Sequence, residues 1–398
     1  MKGSISTESY PSHSLVGPER RRLGILRIMQ WLRKFPLLLQ LGALTLIVIS
    51  IHLDFVTSNS GCVIWGNYVL PCTRAQYVAW APILLTWYPY SLMGSSVPIP
   101  FPLILAQLTT WQAFYGFSSL LGSATGAKLF AIVSTLFLSF SFLQLSKCFI
   151  KNRWAQLAAT ILLIAGPFQL GLYGYGDYAA FVPLAFAFLS IRLLYFVVNE
   201  PGRRWIYFPA SFALILLSLQ TLQIFELGAL LYILFLIVFI FVGRDPLKGR
   251  LSKFVSIASR LLLLPLILAP LILPALYSSS VALNPGSSYA LPLSTFQTYS
   301  ASPLAVFLGY GYLWSSAPTL TNNMGFAMVS AASGPAIATL WFWFTTFLVV
   351  GTWLGLLLLR VRMGHYLLGV AVLATLLGSG TMGPFAGLNT FFYLHLTG

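Results

Sequence analysis

The chain has 398 residues, of which 58% are hydrophobic, 15% aromatic and 7% charged. Its mean hydropathy is +0.86 and its formal net charge +15. Soluble domains carry about a quarter charged residues, so a soluble globular fold is excluded. Apolar runs that are continuous and helix-length, rather than alternating, exclude a membrane barrel. The basic residues fall in short clusters between apolar runs instead of one patch, which excludes nucleic acid as a partner and matches the positive-inside pattern of a helical membrane protein.

In chain order, residues 1–18 are polar and contain Ser, Gly and Pro, the composition of a disordered tail. "RRRLGILRIMQWLRK" follows. Its Arg27, Gln30, Arg33 and Lys34 lie opposite Ile25, Ile28, Met29 and Leu32 at helical spacing, so residues 1–34 comprise a tail and a basic amphipathic helix on anionic headgroups. A single transmembrane domain then occupies 35–398. The first span covers about 35–53; it is long for the apolar part of a signal peptide and lacks a small-residue cleavage site. Later spans fall near 127–146, 155–171, 179–198, 205–221, 227–243, 255–277, 336–359 and 364–380. The 205–243 stretch is too long for one crossing and must turn near Gln220 to Glu226. The fold class is thus an all-α polytopic membrane protein with about nine crossings.

Charge sets the orientation. With the N-terminus cytoplasmic, 20 of the 22 Lys and Arg residues fall inside, and only Arg74 and Lys128 fall outside. Arg192 lies within a span near its cytoplasmic end and can snorkel. The acids divide differently. Glu8, Glu19, Glu200 and Asp245 accompany the basic clusters, whereas Asp54, Asp177 and Glu226 all sit at extracytoplasmic ends of spans. Three external segments flank those ends, about 54–126, 278–335 and 381–398. In the first, Pro82, Pro89, Pro98, Pro100 and Pro102 break the chain into pieces suited to interfacial half-helices. A full span over 101–117 would put Lys147, Lys151 and Arg153 outside. Cys62 and Cys72 share this loop and could pair in an oxidising compartment or remain thiols.

One span, an Asp directly after it, a long external loop of broken helices and then many spans is a layout that resembles the GT-C superfamily of membrane glycosyltransferases. More narrowly it is similar to the prokaryotic YfhO-like and arabinofuranosyltransferase-like group. "WYPYSLMGSSVP", with Trp87, Pro89, Gly94 and Pro98, is like that group's loop, and "AKLFAIVSTLFLSFSFLQLSK", "WAQLAATILLIAGPFQLGLYGYGDYAAFVPLAFAFL" and "GSGTMGPFAG" carry the rest of the likeness. Relatives of this kind continue with more spans or a soluble domain, so the resemblance implies a shortened or fragmentary chain. It also implies a multi-pass protein of a prokaryotic plasma membrane that moves a sugar from a polyprenyl-phosphate donor to a glycan acceptor on the outer face.

That chemistry needs a carboxylate to take the acceptor's proton and positive charge or N–H groups for the leaving phosphate. Asp54, in "SIHLDF", is the foremost candidate base, with His52 two residues before it to tune it or bind beside it. The plain alternative is an interfacial cap on the span's end. Asp177 is the second catalytic candidate, in a glycine-rich turn where Tyr173, Tyr175 and Tyr178 offer faces to a sugar ring; otherwise it caps the next helix. Glu226, with Gln220 and Gln223, forms a polar helix face or merely a wet turn. Arg74 and Lys128 are the external cations for a phosphate, Arg74 the better placed because it shares the loop that begins at Asp54; Trp87 is the aromatic binding candidate of that loop. Asp54 and Asp177 would ligate a divalent cation if the fold joined them, but the sequence holds no metal set, Walker motif, G-x-S-x-G or H-E-x-x-H. A transporter or flippase for a lipid or polyol also fits interfacial acids and glycine-broken helices, although no internal repeat is present. A non-catalytic membrane protein is the third reading.

Overall fold

The computed structural model describes residues 36–57, 112–166, 178–200, 204–218, 222–241, 334–358, 362–380 and 386–392, with a few single positions between them, Gln169 and Tyr173 among these. All regular elements among the described residues are helical: α1 (Pro36–Ile51), α2 (Leu53–Thr57), α3 (Gln112–Leu121), α4 (Ser123–Ser146), α5 (Arg153–Ile164), a 3-10 turn (Tyr178–Ala180), α6 (Phe181–Asn199), α7 (Arg204–Leu217), α8 (Leu222–Phe241), α9 (Pro335–Leu358), α10 (Arg362–Gly378) and α11 (Ala386–Phe392). The predicted N-terminal tail and basic helix, most of the 255–277 span, the Cys62 and Cys72 pair and most of the loop at 278–335 lie outside the described residues.

Crossing the hydrocarbon takes about 20 apolar residues. Among the described residues, three helices meet that length and apolarity: Ala124–Ser146, Phe181–Asn199 and Pro335–Gly355. Shorter apolar helices occupy parts of α1, α5, α7, α8 and α10. The chain forms two units, residues 1–46 and 47–398. Within the first, Thr45 Oγ1 donates to the Leu41 carbonyl at 2.8 Å, which satisfies a hydroxyl on an apolar helix.

In the second unit, α4 packs against α3, α5 and α6; α6 packs on α7 and α8; α8 packs on α10, which packs on α9. Two buried clusters result. One joins Ala127, Phe130, Ala131 and Leu138 of α4 to Tyr173, Tyr178, Phe181 and Ala185. The other joins Leu145, Ile191, Leu194, Phe208, Phe235 and Tyr366, among others. By contrast α9 leaves Ile337, Leu340, Phe344, Phe347, Leu354 and Leu358 exposed. Their spacing of three, four and seven residues places them on one face, which a bilayer would cover.

Hydrogen bonds between helices reinforce this packing. Ser190 Oγ on α6 donates to the Ser211 carbonyl on α7 at 2.8 Å, and Ser211 Oγ donates back to the Ser190 carbonyl at 2.8 Å. The Tyr232 hydroxyl of α8 lies 3.3 Å from Ser211 Oγ. Such bonds are worth about 0.6 kcal/mol on average and up to about 1.7 in membrane bundles. Ser211→Ala removes one hydroxyl that serves three helices, so thermal unfolding in detergent should show a loss of about 1–2 kcal/mol. The Ser190→Ala, Ser211→Ala double variant should lose less than the sum of the two singles, because both share one clamp.

Three boundaries differ from the sequence expectation. The predicted 155–171 span stops as α5 at Ile164, with the Ala165 N–H bonded to the Ile161 carbonyl. Pro167 follows, and a proline disfavours helix at the residue before it and donates no hydrogen bond. The break within 205–243 falls before Leu222, so the Glu226 backbone belongs to α8 rather than to a turn. Finally α4 begins at Ser123, and the preceding apolar stretch includes a separate helix, α3, joined to it by Gly122 alone. Gly122 has φ 86°, a left-handed value that glycine adopts without penalty. One turn further on, a Cβ at Gly126 would lie 2.5 Å from the Ser118 Cα. The two helices therefore meet backbone against backbone.

Candidate functional site

The local sequence around His52 bends the chain without breaking its hydrogen bonds. The His52 N–H bonds the Val48 carbonyl at 3.1 Å and the His52 carbonyl receives the Val56 N–H at 2.8 Å, so α2 continues from the end of α1. The imidazole Nδ1 lies 2.8 Å from the same Val48 carbonyl. A carbonyl only accepts, so Nδ1 carries the hydrogen, and in the neutral ring Nε2 then presents its lone pair. His52 is 3% exposed, and its Nε2 is buried without a hydrogen-bond partner. An unsatisfied buried acceptor costs about 1–3 kcal/mol, and such groups in native folds call for an explanation.

Aromatic rings surround that imidazole. Tyr173 meets it edge-on at 4.9 Å between ring centres, and Tyr178 lies at 5.5 Å. The two tyrosines stack at 6.1 Å, and Phe55 of α2 stacks on Tyr178 at 6.2 Å. Phe181, the first residue of α6, meets both tyrosines edge-on at 5.3 and 5.7 Å. The Tyr173 hydroxyl faces the Thr135 and Gln169 side chains but makes no hydrogen bond of ordinary geometry, and neither does Gln169 Nε2. Burial pushes both phenols well above their usual range; at Tyr173 the neighbouring Tyr178 adds to the rise, and the Thr135 and Gln169 side chains offset part of it. They stay protonated, and so remain donors, at physiological pH.

A cation joins this end of the bundle. Lys128, two residues after the tight Gly126 contact, donates from Nζ to the Val56 carbonyl at 2.9 Å. It ties α4 to α2 across 72 positions of sequence. The positive charge is thereby fixed at the helix that also carries the Asp54 backbone.

Of the sequence candidates, His52, Tyr178 and the flanks of Asp54 come together. Tyr178 follows Asp177 directly in sequence, and it touches both His52 and Phe55. Its ring packs against its neighbours among the described residues. The ring stacks on Phe55 and Tyr173, meets Phe181 edge-on and is 5% exposed, so it forms a wall. The Asp54 and Glu226 side chains, and Asp177, Tyr175, Arg74 and Trp87 as whole residues, lie outside what the structure describes. The Asp54 and Asp177 divalent-cation site falls there too. Among the described residues, no group of three His, Cys, Asp or Glu assembles that could hold a metal ion.

Lys128, an external cation by its place in the sequence, lies at the start of a span beside Gly126, where its long side chain reaches a neighbouring helix end. Tyr173 was read only as a ring face. Its partners, Thr135 and His52, are far away in sequence, and no local pattern marks them.

No protein-family model matches the chain, and no curated protein or solved structure matches it either.

Proposed function

We propose that the chain is a glycosyltransferase of GT-C type that works at the outer face of a prokaryotic plasma membrane. In this reading about nine helices cross the bilayer, with the N-terminus cytoplasmic. The donor is a sugar on polyprenyl phosphate and the acceptor a glycan hydroxyl. The observation that carries the reading is the convergence of both candidate carboxylates' neighbours. His52 and Phe55, which flank Asp54, meet Tyr178, which follows Asp177. Lys128 adds a positive charge at the same helix end.

The reaction balances as a single displacement. The acceptor oxygen bonds to the anomeric carbon, and the bond from that carbon to the phosphate oxygen breaks. The electron pair leaves with polyprenyl phosphate, and the hydroxyl proton passes to Asp54 as general base. Lys128 stabilises the charge that develops on the phosphate. The lone pair on His52 Nε2 accepts from a donor hydroxyl and so orients it. An aromatic wall of Tyr173, Tyr178 and Phe181 keeps water from that side.

Full-length protein in nanodiscs, given a radiolabelled polyprenyl-phosphate sugar and a cell-envelope glycan fraction, should move label to the glycan and release polyprenyl phosphate. Label that crosses the membrane of sealed vesicles without changing its covalent attachment would instead establish a lipid or polyol translocator. Absence of both would leave a non-catalytic membrane protein.

A further inference from the structure

Three buried polar atoms at the His52 end of the bundle have hydrogen-bonding capacity that the fold leaves unused. His52 Nε2, the Tyr173 hydroxyl and Gln169 Nε2 are each buried without a hydrogen-bond partner. Their side chains form one series of contacts. The Tyr173 ring meets the imidazole edge-on at 4.9 Å, and its hydroxyl faces Gln169 and Thr135. Gln169 and Tyr173 stand four apart at helical positions, so they share a face. All four residues are at most 5% exposed.

The unused capacity has a definite pattern. His52 spends its Nδ1 hydrogen on the Val48 carbonyl, so Nε2 can only accept. Gln169 Nε2 can only donate. Thr135 spends its hydrogen on the Ala131 carbonyl at 2.8 Å and keeps only lone pairs. The Tyr173 hydroxyl can give or take. A group that satisfies both ends must give a hydrogen to His52 and take one from Gln169 or Tyr173. A neutral hydroxyl does both. A carboxylate or phosphate has only lone pairs to set against that of His52, and an ammonium only hydrogens to set against those of Gln169.

We propose that His52, Tyr173 and Gln169 together read one uncharged hydroxyl of the sugar, which makes Tyr173 and Gln169 specificity-determining residues and the sugar neutral at that carbon. The inference rests on the proposed function for the molecule that carries the hydroxyl, and it adds the two groups that donate to it. Burial makes the reading selective. Phe181 meets both tyrosines edge-on, so a mismatched group would leave these polar atoms unfilled among rings. A site built to bond a hydroxyl rejects an analogue that lacks it far more strongly than an apolar pocket rejects a methylene.

The test is native mass spectrometry of the full-length protein in nanodiscs. The probes are undecaprenyl-phosphate glucose, mannose and galactose, with bare undecaprenyl phosphate for comparison. Wild type should retain at least one of the three sugars over the bare lipid phosphate. Among the monodeoxy analogues of that sugar, one should bind about tenfold more weakly, the upper range for a lost hydrogen bond. Tyr173→Phe and Gln169→Leu should weaken the parent sugar by a similar factor and no longer distinguish it from that analogue. Gln169→Glu, which keeps the size and replaces the donor by an acceptor, carries the test if Gln169→Leu fails to fold. Tyr173→Phe should keep its ligand-free melting temperature, because the hydroxyl makes no hydrogen bond of ordinary geometry. Unchanged retention of the parent sugar in both variants would overturn the proposal, whether or not wild type transfers sugar. So would a wild type that retains no sugar over bare undecaprenyl phosphate. A lower ligand-free melting temperature in Tyr173→Phe with discrimination unchanged would show a resident water in the site and overturn it too. Selective retention without transfer would support the hydroxyl site and remove the transferase reading.

Discussion

Asp54→Asn is expected to leave a folded protein whose sugar transfer has fallen about 10²–10⁴-fold, the usual contribution of a positioned general base. The substitution keeps the shape and removes only the capacity to take a proton. Asp54 lies in α2, which the backbone bonds from His52 to Val48 and from Val56 to His52 hold in place, so the helix should survive it. His52→Phe supplies the complementary result. It removes an acceptor that is buried without a donor, relieving about 1–3 kcal/mol, and forfeits the Nδ1 bond, worth about 1 kcal/mol. The Val48 carbonyl keeps its bond from the His52 N–H, and a phenyl ring suits the contacts with Tyr173 and Tyr178. The melting temperature should therefore hold or rise while transfer drops at least about tenfold, a barrier change of 1.36 kcal/mol. A residue kept only for packing would lose stability and activity together. Unchanged transfer in Asp54→Asn would remove the proposed mechanism, and unchanged transfer in His52→Phe would remove the imidazole from it.

An apolar residue would be easier to bury at position 52 than a histidine with an unpartnered Nε2. In the proposed mechanism, protein stability and site chemistry pull in opposite directions there. Arg192 likewise buries an Nε without a partner at the other end of the bundle. Both groups are polar, both sit where helices converge, and both are costly to bury unfilled.

Much of the helical layout was legible in the apolar runs. The spans expected at 127–146, 179–198 and 336–359 correspond to α4, α6 and α9 within a few residues, because long apolar stretches with no proline beyond the first turn leave the backbone no cheaper way to satisfy its hydrogen bonds in lipid. The errors have local causes. α5 ends at Ile164, and Pro167 follows in the sequence, where a proline disfavours helix at the residue before it. The short α3 was hidden in a stretch read as interfacial pieces, and the single-residue join at Gly122 depends on a positive φ that sequence does not display. At the site, Asp54 and His52 drew attention as charged and titratable residues at the end of the first span, and Tyr178 as an aromatic residue beside a glycine-rich turn. What sequence could not supply was the pairing. Lys128 with Val56, and His52 with Tyr173, are contacts between distant segments, fixed by how α4 and α6 pack rather than by any spacing along the chain.

Gly126→Leu is expected to give the largest loss of folded protein of any substitution at the described glycines. A Cβ there would sit 2.5 Å from the Ser118 Cα and Oγ and 2.6 Å from its backbone nitrogen. Two of those atoms are main chain, so no rotamer change relieves the clash, and α3 must separate from α4. Gly126→Ala should already cost about 1–3 kcal/mol, the range for overpacking. Gly116→Ala is the control. It lies within α3 with nothing inside 4 Å of its added methyl, so it should be neutral or gain up to about 1 kcal/mol from better helix propensity. Thermal unfolding of the three variants in one detergent checks the order. The consequence reaches the site, because Lys128 lies half a turn beyond Gly126 and its bond to Val56 fixes the cation against α2. Gly126→Ala should therefore reduce sugar transfer by more than its stability loss explains when measured well below its melting temperature. An active, stable Gly126→Leu protein would show that α3 and α4 do not meet at Ser118, and the placement of Lys128 would fall with it.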